Sequence, residues 1–310
     1  MGSIIQRLEA SRGHTGTVIL ISGEAGIGKS RLVNETKLYA VRAAFTVLQG
    51  NCFEPDRALP YAPFLDLLRT FILTLSPGQI NQEFGSSAAE MVQLIPELAN
   101  SLPDFSYPSP SNPELEKHRL LQALTQFFIR RLGDLNNQAG LLLVIEDLHW
   151  SDDTSLEFLE HLSRRIETLP IFLLLTYRSD ETSPGLDKLL GAVNRQRLAL
   201  ELALQALTPT ELDALLRAIF ELKVPVRSEF LETIYALTEG NPFFTEEILK
   251  SLMAAGGFFY TNGIWDNKPI HELNIPHSIQ DAIYRRTLQL SPEARQTLTL
   301  AAVAGTTGSL

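Results

Sequence analysis

Eight consecutive residues, Gly23-Glu24-Ala25-Gly26-Ile27-Gly28-Lys29-Ser30, constrain this chain more than any other stretch. They fit the pattern G-x-x-x-x-G-K-S/T, in which a loop curls around phosphate groups. The chemistry dictates the residue types. Phosphates need many donors at short range, and glycines let the backbone curl so that successive N–H groups point inward. In that pattern Lys29 reaches the β- and γ-phosphates, and the Ser30 hydroxyl ligates Mg²⁺. The loop needs a strand before it and a helix after it. Thr17–Ser22 reads as a buried strand and Arg31–Ala43 as a helix, whose N-terminus adds partial positive charge. A Gly-rich turn followed by a surface lysine is the plain alternative, and the flanking elements argue against it.

More strands follow. Phe45–Gly50 reads as a second strand, Leu141–Ile145 as a third and Ile171–Tyr177 as a fourth, with a fifth near Arg197–Leu204. The third and fourth are continuous apolar runs, as expected for strands covered on both faces. Helices are expected over Tyr61–Leu75, from Asn112-Pro113 to Leu132, and over Thr154–Glu167. Strands alternating with helices imply an α/β fold with a parallel sheet. Residues 76–113, rich in Pro and Ser, read as an irregular insertion with one short helix at Ala88–Leu94. After Leu204 the texture becomes helical. Thr208-Pro209-Thr210-Glu211 is a capping box. Further helices are expected over Ser228–Leu237, from Asn241-Pro242 to Gly256, over Pro276–Leu290 and over Ser291–Ala304. Gly257–Trp265 reads as a hairpin turning at Asn262-Gly263. The expected organisation is a core over 1–205, a helical lid over 206–256, a hairpin and linker over 257–275, and a further helical segment over 276–310.

The length of 310 residues suits two or three domains. A formal net charge of −10 argues against broad binding of nucleic acid, because phosphate repels an acidic surface. The single cysteine, Cys52, excludes an intrachain disulfide and reads as a packed thiol. No apolar run approaches the ~18 residues of a membrane span, and no signal peptide is visible, so a cytoplasmic location is expected.

Three further stretches carry chemistry. Val144-Ile145-Glu146-Asp147 is an apolar strand ending in two acids. Beside a phosphate loop, one carboxylate holds the Mg²⁺ shell and the other polarises an attacking water. Thr176-Tyr177-Arg178 ends the next apolar strand. Arg178 there either meets the γ-phosphate or forms an ion pair with Asp180 or Glu181. Gly240-Asn241-Pro242-Phe243-Phe244 is, on residue physics alone, a helix start. His149 and Trp150 either touch substrate or pack against the sheet edge. Asp152-Asp153 either bind metal or cap the helix that follows.

Together these stretches resemble the STAND class of AAA-related P-loop ATPases, the signal-transduction ATPases with numerous domains. The resemblance rests on Gly23–Leu32, Ala58-Leu59-Pro60-Tyr61-Ala62-Pro63-Phe64, Glu146-Asp147-Leu148-His149-Trp150-Ser151-Asp152, Thr176-Tyr177-Arg178-Ser179-Asp180-Glu181 and Gly240–Phe244. It is strongest to the modules of large ATP-binding LuxR-type regulators and of bacterial multidomain cyclases and kinases. The resemblance implies an ASCE-type P-loop NTPase core with strand order 5-1-4-3-2, then an all-α lid and the start of a winged-helix domain. It implies ATP or ADP and Mg²⁺ as ligands, slow hydrolysis to ADP and phosphate, and self-association in the ATP state. A non-hydrolysing, nucleotide-gated scaffold is the alternative. In the family, the residue matching Pro242 contacts nucleotide from the lid. Ser30 and Glu146 are the expected metal residues, although the family more often has Asp at the latter position. Lys29, Glu146, Asp147 and Arg178 carry the chemistry. The family's base-holding Gly-Arg-Glu segment and its sensor and effector domains are not in the sequence, so a piece of a larger regulator is expected.

Overall fold

The structure, a computed structural model, describes residues 1–10, 16–84, 87–102, 112–133, 140–166, 169–195, 199–254, 258–261, 264–267, 287 and 290–307. These fall into two compact units. One comprises Met1–Gly23 with Lys29–Ala203, the other Glu24–Gly28 with Leu204–Leu310.

The first unit is built on five parallel strands: β1 (Thr17–Ser22), β2 (Phe45–Asn51), β3 (Gly140–Glu146), β4 (Ile171–Tyr177) and β5 (Ala199–Ala203). Their order is β2-β3-β4-β1-β5, the expected 5-1-4-3-2 read from the other edge. The register pairs Ser22 with Tyr177, and Asn51 with Glu146. The ends of β1, β3 and β4 therefore carry their polar residues to one edge of the sheet, where ligands of open α/β sheets bind. Every residue of β3 and β4 is buried, which accounts for their uninterrupted apolar runs. At the sheet edge, β5 alternates between half-buried and exposed positions.

Helices α1 (Gly2–Ala10), α2 (Lys29–Arg42), α3 (Ala62–Ile72), α4 (Pro77–Phe84), α5 (Ala88–Leu94), α6 (Pro113–Gly133), α7 (Asp153–Ser163) and α8 (Pro184–Arg195) complete this unit. Several of these correct the reading of the sequence. First, α2 starts at Lys29, two residues before the expected Arg31, so the phosphate-loop lysine and serine belong to its first turn. Second, the described part of 76–113 is more regular than expected, with α4 and a 3₁₀ segment at Pro96–Ser101 beside α5. Its apolar residues join the main core: Ile80, Phe84, Met91, Val92, Ile95 and Leu98 are buried there. Phe84 stacks on Phe127 of α6, with centroids 5.6 Å apart. Short helices that pack one apolar side against a large neighbour need little propensity of their own. Third, α8 had no counterpart in the expected elements. Ser183 caps it by accepting from the Leu186 N–H, and Leu186, Leu189, Ala192 and Val193 form its buried side. Helix α7 is shorter than expected, ending at Ser163.

The second unit contains α9 (Pro209–Ile219), α10 (Ser228–Thr238), α11 (Pro242–Ala254), the antiparallel pair β6 (Phe258–Thr261) and β7 (Ile264–Asn267), and α12 (Pro292–Thr307). The capping box forms: Thr208 accepts from the Glu211 N–H while the Glu211 carboxylate accepts from the Thr208 N–H. Leu212, Leu216, Phe220, Phe230, Ile234, Ile248, Leu249 and Leu252 make a separate core. The β6–β7 register pairs Thr261 with Ile264. The expected turn residues Asn262 and Gly263, and the expected helix over 276–290 apart from Thr287 and Leu290, lie outside the described residues.

Candidate functional site

The glycines of the loop adopt the conformations that only glycine holds easily. Gly23, Gly26 and Gly28 have φ of 147°, 78° and 105°. In the first unit, Lys29 projects from the first turn of α2 and is buried, and its Nζ donates to the Gly23 carbonyl at 2.7 Å. Burial lowers its pKa from the ordinary lysine value, while the Asp147 carboxylate opposes that shift and Arg178 adds to it. The lysine, the strand-end acid and the arginine thus lie within electrostatic reach of one another, although the sequence separates them widely.

Glu146 ends β3 and is buried. Gln49 of β2 donates to its Oε1 at 2.9 Å. Burial raises its pKa above the ordinary carboxylate value; the nearby Ser30 hydroxyl counteracts this, and the Asp147 charge reinforces it. Gln49 is itself held by Lys37 of α2, whose Nζ donates to its Oε1 at 2.5 Å. Ser30 and Glu146 bring two hard oxygen donors together. That suits Mg²⁺, which takes one or two protein oxygens and fills its octahedron with phosphate and water.

Asp147 follows in a left-handed conformation, φ 62° and ψ 47°, which is uncommon outside glycine. Its N–H donates to Thr176 Oγ1 of β4 at 3.0 Å. Local backbone strain of this kind concentrates at functional sites. The turn follows the strand end and starts the 3₁₀ segment Leu148–Trp150.

Arg178 lies just beyond β4. It forms the ion pair with Glu181 that the sequence left open, and its guanidinium carbon lies 5.1 Å from the Trp150 ring centroid. His149 is 1% exposed, its ring centroid lies 4.6 Å from that of Trp150, and burial lowers its pKa. Asp152 caps α7: its Oδ1 accepts from the Ser155 N–H at 2.9 Å and from the Tyr61 N–H at 3.1 Å. Cys52 is a packed thiol beside Ser151, and burial pushes its pKa up to about 12.

In the second unit, Asn241 has two roles. Its Oδ1 accepts from the Phe243 N–H at 3.1 Å and the Phe244 N–H at 3.4 Å, which caps α11. Its Nδ2 donates to the Ala25 carbonyl at 3.0 Å, and the Phe243 N–H reaches the Gly26 carbonyl at 3.3 Å. Pro242 occupies the first turn of α11, between those two contacts. A Cβ at Gly26 would stand 2.8 Å from Phe243 Cβ and 2.9 Å from Asn241 Oδ1. Sequence reasoning identified the cap at Asn241 but missed its bond to the loop. It also missed Gln49 and Thr176, which have no local signature. The partners of all three lie far along the chain.

A family model described as AAA ATPase domain matches residues 2–175. An uncharacterized protein of Rhizobium meliloti is 28% identical over 316 aligned positions, which cover 94% of this chain and 28% of that relative. The chain therefore spans under a third of the relative's length. Among solved structures, Cdc6p from Pyrobaculum aerophilum is similar at 15% identity and a TM-score of 0.45, covering 82% of this chain and 61% of that one. AMPPCP-bound DnaA from Aquifex aeolicus is similar at 12% identity and a TM-score of 0.43, covering 82% and 60%. A RuvB variant of Thermotoga maritima is similar at 14% identity and a TM-score of 0.41, covering 99% and 80%. Among the described residues, no helix is long and apolar enough to cross a membrane.

Proposed function

Because the chain belongs to the AAA ATPase domain family, we propose that it is a STAND-type switch module that binds MgATP and hydrolyses it slowly within a larger signalling or transcription-regulating protein. One observation carries the reading. Lys29 is buried within electrostatic reach of Asp147 and Arg178, while the Ser30 hydroxyl meets the Glu146 carboxylate. A buried ammonium sharing its surroundings with a guanidinium, with the strand-end Asp147 carboxylate as the main opposing charge, is expensive to keep unless a polyanion completes the set.

In this reading, the amides of Gly23–Ser30 hold phosphate oxygens, and Lys29 exchanges the Gly23 carbonyl for a phosphate oxygen. Ser30 and Glu146 hold Mg²⁺. Bound MgATP supplies the phosphoanhydride that is cleaved. Asp147, in its left-handed turn, orients the attacking water, and Arg178 contacts the γ-phosphate. Asn241 and the Phe243 amide are bonded to the loop carbonyls of Ala25 and Gly26, so loop geometry is communicated to the start of α11, where Pro242 lies. That link makes residues 206–256 a lid responsive to the nucleotide, with self-association in the ATP state as its output.

Two measurements on the wild type and Lys29→Ala test this. Calorimetry with MgATP should show binding that the substitution abolishes, and phosphate release should be slow in the wild type and absent in the variant. Equal binding and equal release in both would overturn the proposal. Wild-type binding without release would leave the non-hydrolysing scaffold.

A further inference from the structure

Arg178 is occupied. Its Nη1 bonds Glu181 Oε1, and its guanidinium lies over Trp150. The Trp150 ring leans on His149, which is sealed from solvent. Among the described residues, neither ring nitrogen of His149 has a hydrogen-bond partner. A buried imidazole left in that state is an unmet demand, since its N–H has lost water and gained nothing. The other oxygen of Glu181, Oε2, stands 3.9 Å from His149 Nε2, too far for a hydrogen bond and within reach of a small side-chain rotation. A single carboxylate thus has two claimants, and only one of them holds it.

We infer that Glu181 is a built-in stand-in for phosphate: its carboxylate occupies Arg178 until a nucleotide's γ-phosphate displaces it, and His149 then receives it. The inference rests on the reading of this site as one for MgATP. A guanidinium binds carboxylate and phosphate through the same fork of N–H donors, so the two anions compete directly. The exchange conserves bonding. Arg178 trades one anion for another, Glu181 trades the guanidinium for an imidazole N–H, and His149 gains the partner it lacks. A diphosphate has no γ-phosphate to drive the exchange. Glu181 and His149 are therefore positioning residues that set the preference for triphosphate over diphosphate, without touching either.

The sequence contains two tryptophans, Trp150 and Trp265, so Trp265→Phe leaves Trp150 as the sole reporter. In that background Mg·AMPPCP should change Trp150 emission as Arg178 shifts, and MgADP should not. Calorimetric Kd values for the same two ligands give the second readout. The Arg178–Glu181 pair is partly exposed, 28% and 42% on its two sides. Removing such a competitor by Glu181→Gln should tighten Mg·AMPPCP by about two- to fivefold and leave MgADP unchanged. His149→Phe should weaken Mg·AMPPCP by a similar factor, His149→Gln, which keeps an N–H, should restore it, and His149→Phe should have no effect once Glu181→Gln is present. A merely structural role for either residue would move both ligands together. Parallel shifts for ADP and AMPPCP, or an unchanged ratio in Glu181→Gln, would overturn the inference while leaving the ATP reading intact. If the wild type binds neither ligand, or Lys29→Ala binds both as tightly, the ATP reading fails and this inference with it.

Discussion

Asn241→Ala is the substitution that tests most directly how the loop and α11 are joined. The Asn241 side chain is buried and its two ends are used separately: the oxygen caps α11, and the amide nitrogen holds the Ala25 carbonyl. Loss of an N-cap costs about 1 kcal/mol. Loss of a buried neutral hydrogen bond costs about 1 kcal/mol more. Asn241→Ala should therefore destabilise the contact between the loop and α11 by about 2 kcal/mol, whereas Asn241→Ser, which keeps a capping oxygen but lacks the amide and the reach to the Ala25 carbonyl, should lose about 1 kcal/mol. Native-state hydrogen exchange read by mass spectrometry resolves the two. At about 1.4 kcal/mol per tenfold change, peptides covering Glu24–Gly28 and the start of α11 should exchange roughly thirtyfold faster in Asn241→Ala and about fivefold faster in Asn241→Ser. Protection of β3 should not change, since Leu141–Ile145 belong to the other unit. If Asn241→Ser were as damaging as Asn241→Ala, the cap would not be separable from the loop bond. If neither variant altered exchange at Glu24–Gly28, Asn241 would not hold the loop at all.

Further outcomes are expected at three other sites. With its pKa raised from 9.0 to about 12, folded Cys52 should carry about a thousandfold less thiolate at pH 8 than a free thiol, so iodoacetamide should modify it only after unfolding. The same shift favours the folded state fully below pH 9, and that contribution should fade as pH rises from 9 towards 12, which urea titrations at alkaline pH would register. Gly240→Ala should lower the unfolding free energy from urea titration by about 2 kcal/mol or more, because φ is 77° there and an added Cβ would meet the Leu207 carbonyl oxygen at 2.0 Å. Asp152→Ala should cost about 3 kcal/mol in the same assay, by removing the α7 cap and orphaning the Tyr61 N–H, while Asp153→Ala, at an exposed position, should change little.

The sequence by itself determined the sheet. Apolar runs at Leu141–Ile145 and Ile171–Tyr177 are what two covered faces require, and the glycines of Gly23–Ser30 follow from the backbone angles the loop adopts. The capping boxes and Pro starts of the later helices were equally legible, because caps are local and need only three or four residues to operate. Helix α8 was legible too, in its Ser183 cap and the spacing of Leu186, Leu189 and Val193, though it was not among the expected elements. The tertiary structure alone decided what surrounds each strand end. Gln49 on Glu146, Thr176 under Asp147, Glu181 on Arg178 and the amide of Asn241 on Ala25 are single polar contacts. Three of them join residues far apart in the chain, and the fourth selects one carboxylate from several nearby. No periodicity records such choices, since a hydrogen bond depends on where two backbones arrive in space. The phosphate-loop pattern thus specified the loop's own shape, while the fold supplied the acids and the arginine within electrostatic reach of Lys29 and the asparagine that holds the loop.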